Sequence, residues 1–417
     1  MAPHKKPLDA LADAFMAGPS YRLAELHLPP LLKPSPLPPS QSGIDRLRTL
    51  VERRAWGDVL QVSGDMLRSA SSPHAAIYAS LVFHKGDDGV AAAPSDLQQE
   101  TVEILTLECH AWLKLRRYVD LGREIERWSF CRINDTTALH PEWVPWSLQI
   151  LAAESLQYTD SDSGRCIDEL YALRALIEEN DKPYVLSIDS ALSNAFVRKS
   201  EWRMALESLD HMLETMPSVF EGDLLQAHKA EVWSRQGRIL LQVGAIDQAE
   251  QVFAKAAPSI ATNQEHWIID KAPAQFALQQ GMAQFARRNY HDSMASFKQA
   301  SDLLRTLREP IHGYRKEAYM GPAVWVESPQ GLLTQAWNNM GLSALYTCRM
   351  KEAVRLMESL VREDPTAYLT ERLAFNLCTL YELGADTAAS ARKKRVLQLV
   401  AKRFYLHDIG PEQFRVS

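Results

Sequence analysis

Five cysteines and twelve histidines are the residues with the clearest capacity for chemistry, and their spacing does not favour a reactive site. Cys109 and His110 are adjacent, but neighbouring residues on a helix project about 100° apart, so they cannot form a nucleophile–base pair directly. No two cysteines form the close pair that a zinc ribbon or a thioredoxin-like site requires. We therefore expect the cysteines to act as small buried apolar residues. These are Cys109, Cys131, Cys166, Cys348 and Cys378.

Short motifs with a known chemical mechanism are also missing from the sequence. It contains no glycine-rich phosphate loop, no HExxH metal motif and no GxSxG nucleophile elbow. The sequence accordingly predicts no catalytic residues, no bound cofactor and no metal site, and the protein is expected not to be an enzyme. An enzyme with its site in the less regular N-terminal region is the catalytic alternative.

Charge and hydropathy exclude two further classes of partner. The formal net charge is −6, from 46 basic and 52 acidic residues, so the electrostatic footprint of a nucleic-acid-binding protein is missing. No apolar run approaches the roughly 18–20 residues that a membrane span needs, and the N-terminus lacks the features of a secretory signal. We expect a cytoplasmic protein with no nucleic-acid partner and no direct membrane insertion.

One basic cluster, Arg392–Arg395 followed by Lys402 and Arg403, interrupts this balance. It could contact anionic lipid or an acidic partner. Alternatively it is the solvated face of a last helix whose apolar residues form a buried face. The second interpretation predicts C-terminal capping helices.

A proline-rich segment precedes the helical part of the chain. The run from Pro29 to Pro39 cannot form a helix interior or a central strand, because proline lacks an N–H and fixes φ. We expect residues 1–43 to form a largely extended arm or linker, and deletion of residues 1–40 to leave the fold intact. The alternative is that the segment is a ligand for an aromatic-lined groove.

Beyond residue 43, apolar residues recur at helical spacing, and a three-residue pattern repeats. Twelve residues after Gly237 comes a second small residue, Ala249, and four residues later a bulky apolar one, Phe253. The same offsets join three other sets: Ser193, Ala205 and Leu209; Gly281, Ser293 and Phe297; and Gly341, Ala353 and Met357. Small residues let two antiparallel helices approach, and the bulky residue fills the space beside them.

This pattern is typical of tetratricopeptide repeats, whose period is about 34 residues. The sequence predicts an all-α, tetratricopeptide-like α-solenoid. Residues 44–185 are assigned to degenerate helical repeats, and residues 186–417 to tetratricopeptide repeats with C-terminal capping helices. The repeats start farther apart than the ideal period, so an irregular connection is expected before the last unit. It includes His312 to Tyr314, which lie outside the residues that the structure describes, and Trp325 to Pro329.

The first helices of such hairpins line a concave surface, which is the predicted partner-binding groove. Only one basic residue lies among the groove positions, which argues against a clamp for a terminal carboxylate. These groove positions favour binding of an apolar helix or of another subunit. The positions are Asn194, Arg238, Met282, Phe285, Leu342 and Leu345.

Three blocks of sequence resemble one family beyond the generic repeat. They are Val144–Glu154 with Leu156–Tyr158; Leu241–Asp247 with Ala249, Glu250 and Phe253; and Asn338–Asn339, Met350–Ala353, Asp364–Pro365, Tyr368–Leu369 and Phe375–Leu383. They resemble the subunit-12 family of the TRAPP (trafficking protein particle) vesicle-tethering complex. The resemblance covers residues 140–390.

The resemblance implies a non-catalytic subunit of the TRAPP III assembly, which activates a Rab GTPase in early secretory traffic and autophagy through a separate small-subunit core. The implied partners are the other TRAPP III subunits and, indirectly, the Rab GTPase, at the periphery of Golgi and early secretory membranes. The family has no catalytic residues to transfer. The alternative is a tetratricopeptide adaptor of an unrelated complex, such as a chaperone or ubiquitin-ligase cofactor.

Overall fold

The computed structural model describes residues 7–34, 43–83, 96–128, 130–131, 133, 143–159, 164–257, 266–307, 316–322 and 325–415, and every regular element in them is a helix. The first nine helices are α1 (Pro7–Met16), α2 (Tyr21–Glu25), α3 (Gly43–Glu52), α4 (Trp56–Arg68), α5 (Pro73–Phe83), α6 (Asp96–Lys114), α7 (Tyr118–Ile125), α8 (Trp146–Thr159) and α9 (Gly164–Leu176).

The second part of the chain continues the series. Its helices are α10 (Pro183–Arg198), α11 (Trp202–Thr215), α12 (Gly222–Gln242), α13 (Ile246–Lys255), α14 (Trp267–Ala286), α15 (Tyr290–Arg305), α16 (Glu317–Met320), α17 (Pro329–Tyr346), α18 (Met350–Glu363), α19 (Pro365–Tyr368), α20 (Glu371–Gly384) and α21 (Thr387–Arg403). Short 3-10 turns cover Glu179–Asp181, Met216–Ser218 and Pro411–Phe414. None of these described helices combines the length and apolar character needed to cross a membrane.

Consecutive helices pair into antiparallel hairpins along most of the chain. The pairs are α3/α4, α6/α7, α8/α9, α10/α11, α12/α13, α14/α15, α17/α18 and α20/α21, with α5 inserted between α4 and α6. Six of the turns reverse the chain within three residues by placing one residue in the left-handed region: Arg54, Arg116, Ser200, Gly244, Arg288 and Cys348. The predicted all-α, tetratricopeptide-like solenoid is confirmed.

Small residues lie where the two helices of a hairpin cross. A Cβ atom at Gly237 would overlap the Phe253 ring, and one at Gly281 would lie 2.5 Å from the Phe297 ring. At Gly341 a Cβ would lie 2.6 Å from the terminal methyl of Met357. The other small positions of the repeat, Ser193, Ala205, Ala249, Ser293 and Ala353, are buried.

The prediction of a largely extended arm over residues 1–43 is wrong for its first half. α1 and α2 are helices, and Ala12 and Met16 are fully buried in a core that they share with α17–α21. The proline run excludes a helix only from residue 29 onwards, whereas Leu11, Ala12 and Phe15 have the spacing of a helix. Residues 28–34 carry no helix, and residues 35–42, which include the rest of the proline run, lie outside the described residues.

The two ends of the solenoid meet. Arg54, in the α3–α4 turn, donates to Asp408 Oδ2 at 2.7 Å and to the carbonyl oxygens of Thr366 and Leu369 at 3.0 Å. We call these four residues the seam. Arg116 adds ion pairs with Glu371 and Glu412 nearby. The N-terminal hairpins therefore contact the C-terminal cap, and the solenoid curls around a central space.

Candidate functional site

The inner face of the solenoid is occupied by part of its own chain. Residues 316–322 and 325–328, which include α16, run across the first helices of successive hairpins; we call this segment the strap. Side chains of the solenoid donate to three of its first carbonyl oxygens: His110 Nε2 to Tyr319 (3.3 Å), the Tyr184 hydroxyl to Met320 (3.3 Å), and Ser187 Oγ to Pro322 (2.6 Å). The irregular connection expected before the last repeat is thus a built part of the inner face.

A buried ion pair holds the other end of the strap. Lys271 Nζ on α14 lies 2.7 Å from Glu231 Oε2 on α12 and donates to the Glu327 carbonyl at 2.5 Å. Glu231 Oε1 accepts the Glu327 backbone N–H at 3.2 Å, and Gln275 donates to Oε2 at 2.9 Å. Both backbone groups of Glu327 are therefore bound by one charge pair that is fully excluded from solvent.

The electrostatics of this pair keep Glu231 ionised. Burial by itself would raise the pKa of the carboxyl group, but the positive charges of Lys271 and Arg235 outweigh burial and lower the pKa to about 2. The carboxylate remains an acceptor over the whole physiological pH range. Such a buried charge must keep its partners, because an unpaired buried charge strongly destabilises the folded state.

Trp325 is the apolar anchor of the strap. Its ring is buried and lies 5.7 Å from the His228 ring, which stacks on Phe220 at 3.8 Å. Burial lowers the pKa of His228 to about 4, so its imidazole is neutral at pH 7. Arg235 donates to the Trp325 carbonyl and, at 2.6 Å, to Ser190 Oγ.

The strap takes up part of the predicted groove. Arg238, the one basic groove residue, lies 3.8 Å from a carboxylate oxygen of Glu327. Asn194, on α10, is exposed. Arg238 is therefore engaged within the chain, while Asn194 stays open to solvent.

The other four predicted groove residues lie farther along the solenoid. Met282, Leu342 and Leu345 are half-buried and pack against the C-terminal core, and Met282 also faces the central cavity. Phe285 packs edge-on against Tyr290 and Tyr346, with ring centroids 5.2 Å apart in both pairs. Arg238 and Met282 both line the central cavity, and the partner role of the six residues stays a prediction.

Phe285, Tyr290 and Tyr346 form what we call the rim cluster. Tyr290 and Tyr346 stack at 5.1 Å, and Tyr346 is 57% exposed. The cluster joins the turn of the α14/α15 hairpin to that of the α17/α18 hairpin. Leu383, at the end of α20, is also exposed, at 62%.

The central cavity has a volume of about 2060 Å³ and is bounded by helices from both halves of the chain. Its wall is mixed in chemistry and includes Lys114, Met282, Asn338, Asn339 and Arg372. Within the described residues no group of three or more His, Cys, Asp or Glu side chains could hold a metal ion. Four of the five cysteines are buried, and Cys348 is exposed in a hairpin turn.

The basic cluster is partly used within the C-terminal cap. Lys394 pairs with Glu382 at 2.8 Å and donates to the Arg415 carbonyl at 2.6 Å, and Lys393 lies over the Tyr381 ring. These contacts fit the interpretation as the polar face of a capping helix.

Comparison with known proteins gives one weak relationship. No family model matches the chain. It is 24% identical over 280 residues to trafficking protein particle complex subunit 12 of Mus musculus, a match that covers 62% of this chain and 31% of that protein. A stretch of 60 residues is 40% identical to the Homo sapiens protein of the same name, covering 14% of this chain and 8% of that protein. The matches span less than a third of the length of these relatives.

Among solved structures, the chain is similar to one chain of the APC/C hetero-tetramer Cut9-Hcn1. The TM-score is 0.37 and the identity 10%, over 88% of this chain and 55% of that chain. The fold assignment stands on the helix hairpins themselves.

The three blocks of family resemblance fall on the helical scaffold. The first begins just before α8 and continues along it, the second crosses the α12–α13 turn, and the third extends from α17 to α20. The second block includes the turn at Gly244.

Sequence reasoning missed the strap and the residues that bind it. Lys271 and Glu231 lie within long helices, where charged residues are ordinarily exposed, so nothing in the local pattern shows that they are buried. The available signal was Trp325 and Val326, two large apolar residues within a connection that otherwise has no helical periodicity.

Proposed function

We propose that this chain is a non-catalytic scaffold subunit of the TRAPP III tethering and Rab guanine-nucleotide-exchange assembly, acting in ER-to-Golgi traffic and autophagy. The observation that carries the proposal is the 280-residue similarity to trafficking protein particle complex subunit 12. The chain would be cytoplasmic and peripheral to Golgi and early secretory membranes. Its partners would be other subunits of the assembly and, through them, the Rab GTPase.

The rim cluster is the surface that we propose for a partner subunit. Exposed aromatic residues are enriched at protein interfaces, since they bury a large area at low entropic cost. Tyr346 offers such a side chain, since it is 57% exposed. Leu345 is less suitable, because it packs against the C-terminal core.

An affinity purification of the tagged full-length chain tests the assembly. The expected result is co-purification of TRAPP subunits with the parent chain and with a Tyr171→Glu control. Tyr346→Glu should lose the large TRAPP partners while keeping the parent's circular dichroism spectrum, because an interface that excludes water tolerates a charge poorly.

Two results would refute this proposal. Purification of the parent chain without TRAPP subunits, above all with a chaperone or a ubiquitin ligase instead, would place it in a different complex. Nucleotide exchange on a Rab GTPase by the purified chain alone would show that it is an enzyme. Retention of all partners by Tyr346→Glu would move the interface away from the rim cluster.

A further inference from the structure

The strap is bound in the way that a peptide ligand is bound. Five of its carbonyl oxygens, at residues 319, 320, 322, 325 and 327, each accept a hydrogen bond from a different side chain of the solenoid. The donors stand on the first helices of four hairpins: His110, Tyr184, Ser187, Arg235 and Lys271. Such a row holds the main chain of a segment whatever its side chains are, and side-chain pockets then give selectivity.

Two positions of the strap supply that selectivity. Trp325 fills an apolar pocket in which its ring packs close to His228. Two residues later, the Glu327 carboxylate faces Arg238 at 3.8 Å. The inner face therefore favours a large aromatic residue followed, two positions on, by an acidic one.

At the Glu327 end of the strap, the binding groups also have partners within the solenoid. Glu231 Oε2 accepts from both Lys271 and Gln275, so the ion pair keeps its geometry without Glu327. Arg235 is likewise positioned by its hydrogen bond to Ser190.

The aromatic pocket is supported in the same way. His228 stacks on Phe220 and bonds through Nδ1 to the Leu224 carbonyl at 2.8 Å. Because these groups are already oriented, they keep their positions when the occupant leaves. A second ligand then binds without the entropic cost of ordering them.

We propose that the strap is an intramolecular ligand of a peptide-binding site on the inner face of α6, α10, α12 and α14. The partner that fits this site is a peptide with a large aromatic residue two positions before an acidic one. It binds by displacing the strap. This inference is independent of the proposed function.

Because the strap is tethered, its effective concentration is of millimolar order, and a free peptide competes poorly against it. Weakening the strap should therefore open the site. The variant is Trp325→Ala in the full chain, and the probe is a fluorescent peptide with the sequence of residues 316–328, acetylated and amidated at its ends. By fluorescence anisotropy we expect saturable binding to Trp325→Ala that is at least about tenfold tighter than to the parent chain.

Three controls make the test specific. Tyr405→Ala, which shortens an exposed aromatic residue outside the strap, should bind the peptide as weakly as the parent. A peptide carrying the Trp325→Ala change should not bind. Adding Ser187→Ala to the Trp325→Ala chain should weaken binding, because one carbonyl of the peptide then loses its donor.

Absence of peptide binding to a cooperatively folded Trp325→Ala chain would overturn the proposal, as would equal binding to that chain and to the parent. If Trp325→Ala does not melt cooperatively, Val326→Ala replaces it, since Val326 is only half-buried. The same tightening is expected, and its absence in that variant equally refutes the intramolecular ligand.

Discussion

At the scale of single residues, the glycines at hairpin crossings differ in what they face. Gly237 lies against the edge of the Phe253 ring, which is rigid and enclosed by Leu240, Ala249 and Ala283. Gly341 lies against the terminal methyl of Met357, the far end of a flexible side chain. The same pattern in sequence therefore has different tolerance for an added methyl group.

This difference predicts different effects of the same substitution on thermal stability at the two positions. Alanine is favoured over glycine in a helix by about 0.5–1 kcal/mol, whereas overpacking a rigid contact costs about 1–3 kcal/mol. Gly237→Ala should lower the thermal unfolding midpoint. Gly341→Ala should leave the midpoint unchanged or raise it slightly, since Met357 can move aside. The midpoints are measured by circular dichroism. An equal fall in the midpoint of both variants would contradict the assigned contacts.

At the scale of elements, α1 forms part of the C-terminal core, and α2 contacts α18 through polar groups. Arg362 on α18 donates to the Phe15 carbonyl at 2.6 Å and lies over the Phe15 ring, 4.6 Å from its centroid. Arg403 pairs with Asp13 at 2.8 Å. These bonds and the burial of Met16 attach the start of the chain to its last helices.

Removal of residues 1–28 should therefore destabilise the protein. The single change Met16→Ala deletes a fully buried side chain, and such deletions cost about 2–5 kcal/mol. Thermal melts should show a clear fall for both variants, with no change for Leu26→Ala, whose side chain is half exposed. If the truncated chain melts at the same temperature as the parent, residues 1–28 do not stabilise the fold and the extended-arm interpretation is correct.

At the scale of the whole molecule, contacts at the seam are polar. The buried apolar residues of α3–α7 and those of α17–α21 belong to separate clusters. Arg54 joins the two regions through Asp408 and two backbone carbonyls. Closure of the solenoid thus depends on charge-assisted hydrogen bonds, each of which contributes about 1.5–3 kcal/mol.

Arg54→Ala should therefore open the seam while leaving each hairpin folded. We expect a larger radius of gyration in small-angle X-ray scattering and faster amide hydrogen exchange over residues 404–414, with little loss of helix. Arg203→Ala is the matched control, since its ion pair with Glu207 is exposed and lies within one helix. Unchanged scattering and exchange in Arg54→Ala would show that other contacts close the molecule.

The sequence by itself determined the helical hairpins. The offsets from Gly237 to Ala249 and Phe253 are a local signal, because a hairpin brings these three positions together without help from the rest of the chain. The same holds for the three other units. The predicted boundary at residue 185 and the partner role of the groove residues stay predictions.

Only the tertiary structure decided what the hairpins face. Lys271 and Glu231 are 40 residues apart, and they meet over Glu327 because the curvature of successive hairpins brings α12 and α14 against the strap. Likewise, Arg54 and Asp408 meet because that curvature accumulates until the ends touch. Superhelical curvature is a sum of small rotations between repeats. No single window of sequence contains that sum, so the strap, the seam and the central cavity could not be predicted from it.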